Sequence, residues 1–444
     1  MFSERHRFEL WRTIWVALAE AQHEAGLVAK EELADLRKHQ SDINVERIEE
    51  IEADTRHDVV AAIREYAEKA KVGGGKIHLG ATSYDIVDNA DTMRFKEGLG
   101  LLDTKLSKLL EAFAKKIDTY ANLTCMGFTH LQPAEPTTVG YRLAFYAQEL
   151  LIAWKEIHGL LENIQAKGLK GAVGTAASYE TLLKETKLTP QQLEETVMNK
   201  LGLNPATVTS QVAPRSTDYI LLVNLNLVAG ALAKFAADVR VLQSAPIGEW
   251  SEPFGKSQVG SSAMPFKRNP VSSEKICSLA RIVNQLPAVA MENAAHSYLE
   301  RTLDDSANRR VVIPEAFLAV DEIVLTSQKV LDGLTIHEER ITHNLSKYGV
   351  FAATEGILME AVKAGADRQA MHETLRTVSL QAWQKVQAGE DNPLAGLLEH
   401  SPEITKFVSA ARVRGLLDVS HHIGDAPARA KKLSKQVRAE LRAG

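Results

Sequence analysis

Five short segments combine residue types that can move protons or hold anions. The densest is Gly255-Lys-Ser-Gln-Val-Gly-Ser-Ser-Ala-Met-Pro-Phe-Lys-Arg-Asn-Pro270, with adjacent hydroxyls at Ser261 and Ser262, cations at Lys267 and Arg268, and the amide of Asn269. A helix is expected to begin near Pro270, because proline suits a first helical turn. Free N–H groups at that end, with Lys267 and Arg268, would attract a carboxylate or phosphate. A solvated connecting loop with a capping serine accounts for the composition equally well. The second segment, Thr129-His-Leu-Gln-Pro-Ala-Glu-Pro136, puts His130 in a proline-bounded turn before a long helix. Imidazole titrates near neutrality, at about pH 6.5 when unperturbed, which suits proton transfer. A lone histidine in a loop is still more often structural.

The other three segments have plainer readings beside the chemical one. Arg56-His57-Asp58 falls inside a helical stretch, where mixed charges usually form a solvated face or a local ion pair. His78-Leu-Gly-Ala-Thr-Ser83 is a turn leading into a long helix that Thr82 and Ser83 can cap. Glu300-Arg-Thr-Leu-Asp-Asp-Ser-Ala-Asn-Arg-Arg310 precedes another helix; its three arginines could clamp an anion, or the segment could simply cap that helix. The sequence has no zinc-ligand spacing, no phosphate-binding glycine loop and no nucleophile elbow.

The elements that must position these residues are helices. Leu10, Ile14, Trp15, Leu18 and Ala21 follow the three-to-four spacing of one helix face, as do Leu102, Leu106, Leu109, Leu110, Phe113 and Ile117. Neither a run of alternating strands with hairpin turns nor a βαβ rhythm stands out. Long periodic segments run roughly over Asp88–Tyr120, Thr138–Lys167, Ser216–Gln243, Val271–Met291 and Asn308–Leu331. Helices of that length suggest an elongated bundle. Glycine and proline clusters at 73–75, 133–136, 168–174 and 246–270 mark the loops between them. From about His337 the helices look shorter and more charged. The expected fold is all-α in three parts: an N-terminal helical domain (1–83), a central long-helix bundle (84–335) and a C-terminal helical domain (336–444).

Bulk composition bounds the function. With 444 residues, 45% hydrophobic and 25% charged, the chain is an ordinary globular protein with a large core. A net charge of −5 argues against a nucleic-acid partner, so an anionic substrate needs a local basic pocket. Two distant cysteines, Cys125 and Cys277, make no disulfide framework and fit a reducing cytoplasm. The charged N-terminus MFSERHRFELW lacks the apolar core of a signal peptide. The most apolar stretch, Tyr219–Val239, carries Asn224, Asn226, Lys234 and Asp238, which favours the centre of a bundle over a membrane span. The residues alone therefore lead to an all-α bundle enzyme with an anion site.

Taken together, the segments resemble the fumarase/aspartase superfamily. Gly260-Ser-Ser-Ala-Met-Pro-Phe-Lys-Arg-Asn-Pro270 is similar to its signature loop, an eleven-residue match that seldom arises by accident. Within it, Arg56-His-Asp-Val59, Ile77-His-Leu-Gly-Ala-Thr-Ser83, Gly127-Phe-Thr-His-Leu-Gln-Pro-Ala134 and Glu300–Arg310 resemble the adenylosuccinate lyases, and the likeness runs from Phe2 into the C-terminal domain. The resemblance implies elimination of fumarate from two succinylated purine nucleotides, without metal or other cofactor. It also implies a homotetramer whose active sites draw on three subunits. Ser261 would be the base and His130 the acid, with Glu274 hydrogen-bonded to His130. Lys267 would stabilise the Ser261 alkoxide when the loop closes. Lys267 and Asn269 would also hold the fumarate-side carboxylates, Thr82, Ser83 and Gln211 would contact the succinyl group, Thr129 would bind substrate, and Arg56, His57, Asp58, Lys275, Arg301, Ser306 and Arg310 would occupy nucleotide- or substrate-binding positions.

Two departures weaken the match. Relatives often have arginine where this chain has Lys275, which lacks the planar two-pronged donor. Relatives also carry an Arg-Tyr pair upstream of the first helix, and a sequence that starts Met1-Phe2-Ser3 does not include it. Nucleotide binding is expected to be weaker without that pair. Rival readings are argininosuccinate lyase or fumarase, which share the loop and the product, and a catalytically silent structural homologue.

Overall fold

The computed structural model describes residues 1–443, apart from the side chain of His421. Helices dominate, as the periodicity demands, with three short two-stranded pairings. The long helices are Ser83–Tyr120, Val139–Asn163, Ser216–Gln243 and Asp304–Asp332. Ser216–Gln243 matches the stretch read from sequence. The fifth expected helix is two, Val271–Val283 and Leu286–Ala295, because the chain turns at Asn284-Gln285, and Pro287, which has no N–H to donate, sits in the first turn of the second.

The chain divides into two compact units. One comprises Met1–Thr104, Trp154–Ala229 and Ala280–Asp321; the other comprises Lys105–Ala153, Gly230–Leu279 and Glu322–Gly444. The four long helices contribute residues to both. The expected division at 83/84 and 335/336 remains a proposal. In the first unit, Phe8, Trp11, Ile14, Trp15, Ile48, Val59 and Tyr66 form one apolar cluster, and Leu18, Leu169, Tyr179, Leu193 and Val197 another. In the second unit, Ile357, Leu375, Leu394, Leu398, Ile404 and Val413 fill the core of the C-terminal helices. Ser216–Gln243 is the one helix among the described residues long and apolar enough to cross a membrane, and half of its apolar window is buried within the protein.

Two expectations about local structure are corrected. The 129–136 segment is a hairpin rather than a proline-bounded loop: strand Thr124–Thr129 pairs antiparallel with Gln132–Thr138. Pro133 and Pro136 occupy the second strand, where a two-stranded pairing leaves an open edge that tolerates proline. Arg56-His57-Asp58 is not inside a helix. Arg56 ends helix Val45–Thr55 in the left-handed conformation (φ 54°), and His57 caps helix Asp58–Lys69, its Nδ1 accepting from the Val60 N–H at 3.4 Å.

Candidate active site

In the first unit, a buried carboxylate fixes the turn that carries Thr82 and Ser83. Asp85, in the first turn of Ser83–Tyr120, has a fully buried side chain paired with Lys167. It accepts hydrogen bonds from the backbone N–H groups of Thr82 (3.0 Å), Lys170 (3.2 Å) and Gly171 (3.2 Å) and from the Tyr179 hydroxyl (3.2 Å). The turn at 168–174 can reach this carboxylate because Gly168, Gly171 and Gly174 all have positive φ. A Cβ at Gly174 would lie 2.0 Å from the Thr209 carbonyl oxygen, so only glycine fits there.

The 300–310 segment is fixed in a similar way. Helix Asp304–Asp332 begins earlier than the sequence suggested, so Ser306 and Arg310 lie in its first two turns. Arg309 is buried and bonded to Asp218 (2.6 Å) and Asp91 (3.1 Å), while Arg215 binds Asp305 (2.5 Å) and Asp88 (3.1 Å). Burial raises the Asp88 carboxyl despite the two arginines, whereas the Asp91 carboxyl is held below its ordinary value by Arg309 and Arg94 acting against its burial. Arg309 is thus committed internally, and the expected three-arginine clamp reduces to Arg301 and Arg310.

Two groupings of expected site residues result in this unit. Arg310 reaches Asp58 at 3.2 Å, and both line a cavity of about 120 Å³ with Ser306, Arg7 and Tyr84. Arg301 lies over the Tyr84 ring, next to Ser83, and the Gln211 N–H donates to the carbonyl of Glu300 at 3.3 Å. Arg56 and His57 are exposed at the adjoining helix junction. Arg7 and Tyr84 were missed from sequence; Tyr84 directly follows the Thr82-Ser83 pair and could have been flagged by that position.

His78 sits just upstream and accepts a hydrogen bond from Trp15 Nε1 at 3.1 Å. Burial, opposed by Asp85 and assisted by His57, lowers its pKa to about 4. The unfolded imidazole takes up a proton near pH 6.5 and the folded one only near 4, so stability falls as pH drops through that window. Denaturant titrations should show His78→Gln losing less stability than the parent between pH 7 and pH 5, by about 2 kcal/mol. Equal losses in the two proteins would contradict this account.

In the second unit, His130 and Leu131 form the hairpin tip with φ of 53° and 59°, a left-handed pair that favours Asn and Gly. The strain is held by anchors below the tip: Arg142 donates to the Met126 carbonyl at 2.5 Å and binds buried Glu249 at 3.2 Å. Thr129 and His130 are exposed, and His130 lines a cavity of about 280 Å³ with Arg142, Tyr146, Lys234 and Asp238. Asp238 is already bonded to the Tyr146 hydroxyl (2.7 Å) and Lys234 (2.5 Å).

The 255–270 loop has a defined shape. Ser261 Oγ accepts from the N–H groups of Ala263 (3.3 Å) and Met264 (3.1 Å). Gly260 packs so closely on the Lys267 carbonyl that a Cβ would lie 2.0 Å from its oxygen, and Asn269 Nδ2 donates to the Gly260 carbonyl at 3.1 Å. Lys267 is exposed, as are Val259 and Phe266. The expected anion site at the start of Val271–Val283 is already filled from within: Glu252 accepts from the Ser272 and Ser273 N–H groups at 3.0 Å. Glu274 and Lys275 are exposed on that helix, and Lys275 pairs with Glu322. Among the described residues of this chain no hydrogen bond joins Glu274 to His130, and none joins either to Ser261.

One unit presents a hydroxyl held by two backbone donors and an exposed imidazole, and the other presents arginines, groups that a lyase needs to move a proton and hold an anionic substrate. A family model described as Lyase matches residues 1–284, and one described as Adenylosuccinate lyase C-terminus matches residues 351–433. The adenylosuccinate lyase of Saccharomyces cerevisiae is 37% identical over 97% of this chain and 90% of its own. That of Pyrococcus horikoshii is 34% identical over 100% and 96%. The fold also matches the crystal structure of a fumarate lyase from Mesorhizobium sp. BNC1, with a TM-score of 0.85 and 22% identity over 98% of this chain and 96% of that one. The chain belongs to the adenylosuccinate lyase family and is a carbon–nitrogen lyase.

Proposed function

We propose that the enzyme eliminates fumarate from adenylosuccinate, giving AMP, and from the succinylated aminoimidazole carboxamide ribotide of purine biosynthesis, giving its carboxamide, in the cytoplasm. The chemistry must take a weakly acidic proton from carbon beside a carboxylate and deliver a proton to the departing nitrogen. Ser261 is the base. The observation that carries this role is the pair of backbone N–H groups already directed at its Oγ, which would stabilise an alkoxide as they stabilise an oxyanion. Lys267, free in solvent here, adds positive charge when the loop closes. His130 is the acid, and Glu274 orients it. Asn269, Thr129, Thr82, Ser83 and Gln211 hold the succinyl carboxylates; Arg56, His57, Asp58, Lys275, Arg301, Ser306 and Arg310 hold the nucleotide. Fumarate release followed at about 240 nm (a property of the product) tests this reading. Release from both purine substrates and none from argininosuccinate is expected; the reverse pattern would refute it.

A homotetramer, with sites completed by three subunits, is part of this proposal. Apolar side chains are exposed at heptad spacing on the long helices: Phe145 and Ile152, Ile220 and Leu227, and Val311, Leu318 and Leu325. Exposed residues seven apart form the stripe by which helices associate. Leu318 is 59% exposed in the single chain. Leu318→Glu should therefore give smaller species by sedimentation, with loss of activity; an unchanged assembly with full activity would rule this stripe out as the interface.

A further inference from the structure

The guanidinium carbon of Arg301 lies 3.4 Å from the centre of the Tyr84 ring, a stacked cation–π contact. Arg301 Nε donates to the Thr302 carbonyl at 3.2 Å. Its Nη2 is buried and has no hydrogen-bond partner among the described residues. A buried N–H left unpaired is costly, so this one is open to an acceptor that the chain itself does not supply.

The backbone beneath the ring is anchored. Tyr84 lies between Ser83, which opens the long helix, and Asp85, which is held by Lys167, Tyr179 and the 170–171 backbone. Arg215 lies 5.8 Å from the same ring and is fixed by Asp88 and Asp305. A cation–π contact uses the face of a guanidinium and leaves its edge N–H groups available. We propose that Tyr84 is a positioning residue: its ring sets the plane of Arg301 so that Nη2 presents an N–H to a carboxylate or phosphate oxygen of the anionic substrate. This rests on the reading of Arg301 as a substrate-binding residue. Holding that donor in place before substrate arrives reduces the cost of ordering a flexible side chain on binding.

The test is steady-state fumarate release from adenylosuccinate by Tyr84→Phe, Tyr84→Leu, Tyr84→Met, Arg301→Leu and the double variant Tyr84→Leu/Arg301→Leu, with thermal melting of each. Tyr84→Phe keeps the π face and should stay within threefold of the parent in KM and kcat. Tyr84→Leu and Tyr84→Met lose the face and should raise KM about tenfold with kcat within threefold. The double variant should have the KM of Arg301→Leu alone, because Tyr84 acts through Arg301. The inference is overturned if Tyr84→Leu or Tyr84→Met leaves KM unchanged, if Tyr84→Phe is as damaging as Leu, or if Tyr84→Leu raises KM by the same factor in the Arg301→Leu background. A folded parent that releases no fumarate from either purine substrate would instead sink the functional reading beneath it.

Discussion

Ser261→Ala is expected to lower kcat by about a hundredfold to ten-thousandfold, the range for removing a positioned acid or base, with KM within a few fold of the parent. The physical reason is local. An isolated serine hydroxyl is too weak a base for a carbon acid, and here the Ala263 and Met264 N–H groups converge on its oxygen before any substrate arrives. Donors fixed in advance need not reorganise when negative charge develops, which is the source of their catalytic value. Alanine removes the acceptor without opening a cavity, since the loop lies at the surface. Melting temperature should be unaffected, so lost activity would report chemistry rather than folding. His130→Ala should fall in the same range, with the loss concentrated in kcat. Near-normal kcat in Ser261→Ala would remove the serine from its role.

Asp85→Ala should destabilise the protein by about 3 to 5 kcal/mol, the cost of breaking a buried ion pair and leaving one charge uncompensated. Lys167 has no exposure and relies on Asp85 for its countercharge. The same substitution strips acceptors from the Thr82, Lys170 and Gly171 N–H groups and from the Tyr179 hydroxyl. Asp85→Asn with Lys167→Met removes both charges and should recover part of the loss, because the unpaired ammonium is the largest single penalty. Urea denaturation of the three proteins measures this. An Asp85→Ala variant within 1 kcal/mol of the parent would show that the pair contributes little beyond what solvent could replace.

The helical part of the fold was legible because helix periodicity is local and the long helices repeat it many times over. Ser216–Gln243 could be bounded from its apolar run and the proline beyond it. The hairpin was not, since Pro133 and Pro136 read as helix stops, and only pairing with residues 124–129 makes them strand residues. The break at Arg56 was hidden too: a left-handed arginine leaves no mark in the sequence that glycine would have left. Among the proposed site residues, the hydroxyl, imidazole and cations stand out by type and by their resemblance to family motifs. Their supports do not. Asp85 and Lys167 are 82 positions apart, and Arg215 and Asp305 are 90 apart, so each pair exists only after folding. The capping of Val271–Val283 by Glu252 went unseen for the same reason, and it turned an expected substrate site into an internal contact.

In the proposed tetramer, Ser261 and His130 of one active site come from different subunits. Mixing the two inactive variants, Ser261→Ala and His130→Ala, under conditions that dissociate and then reassemble the subunits tests it most directly. If the two side chains in each site come from different subunits, some reassembled sites contain both intact residues, and fumarate release should recover to a measurable fraction of the parent rate. Mixtures that reassemble fully and stay as inactive as either variant alone would mean that both residues come from one chain.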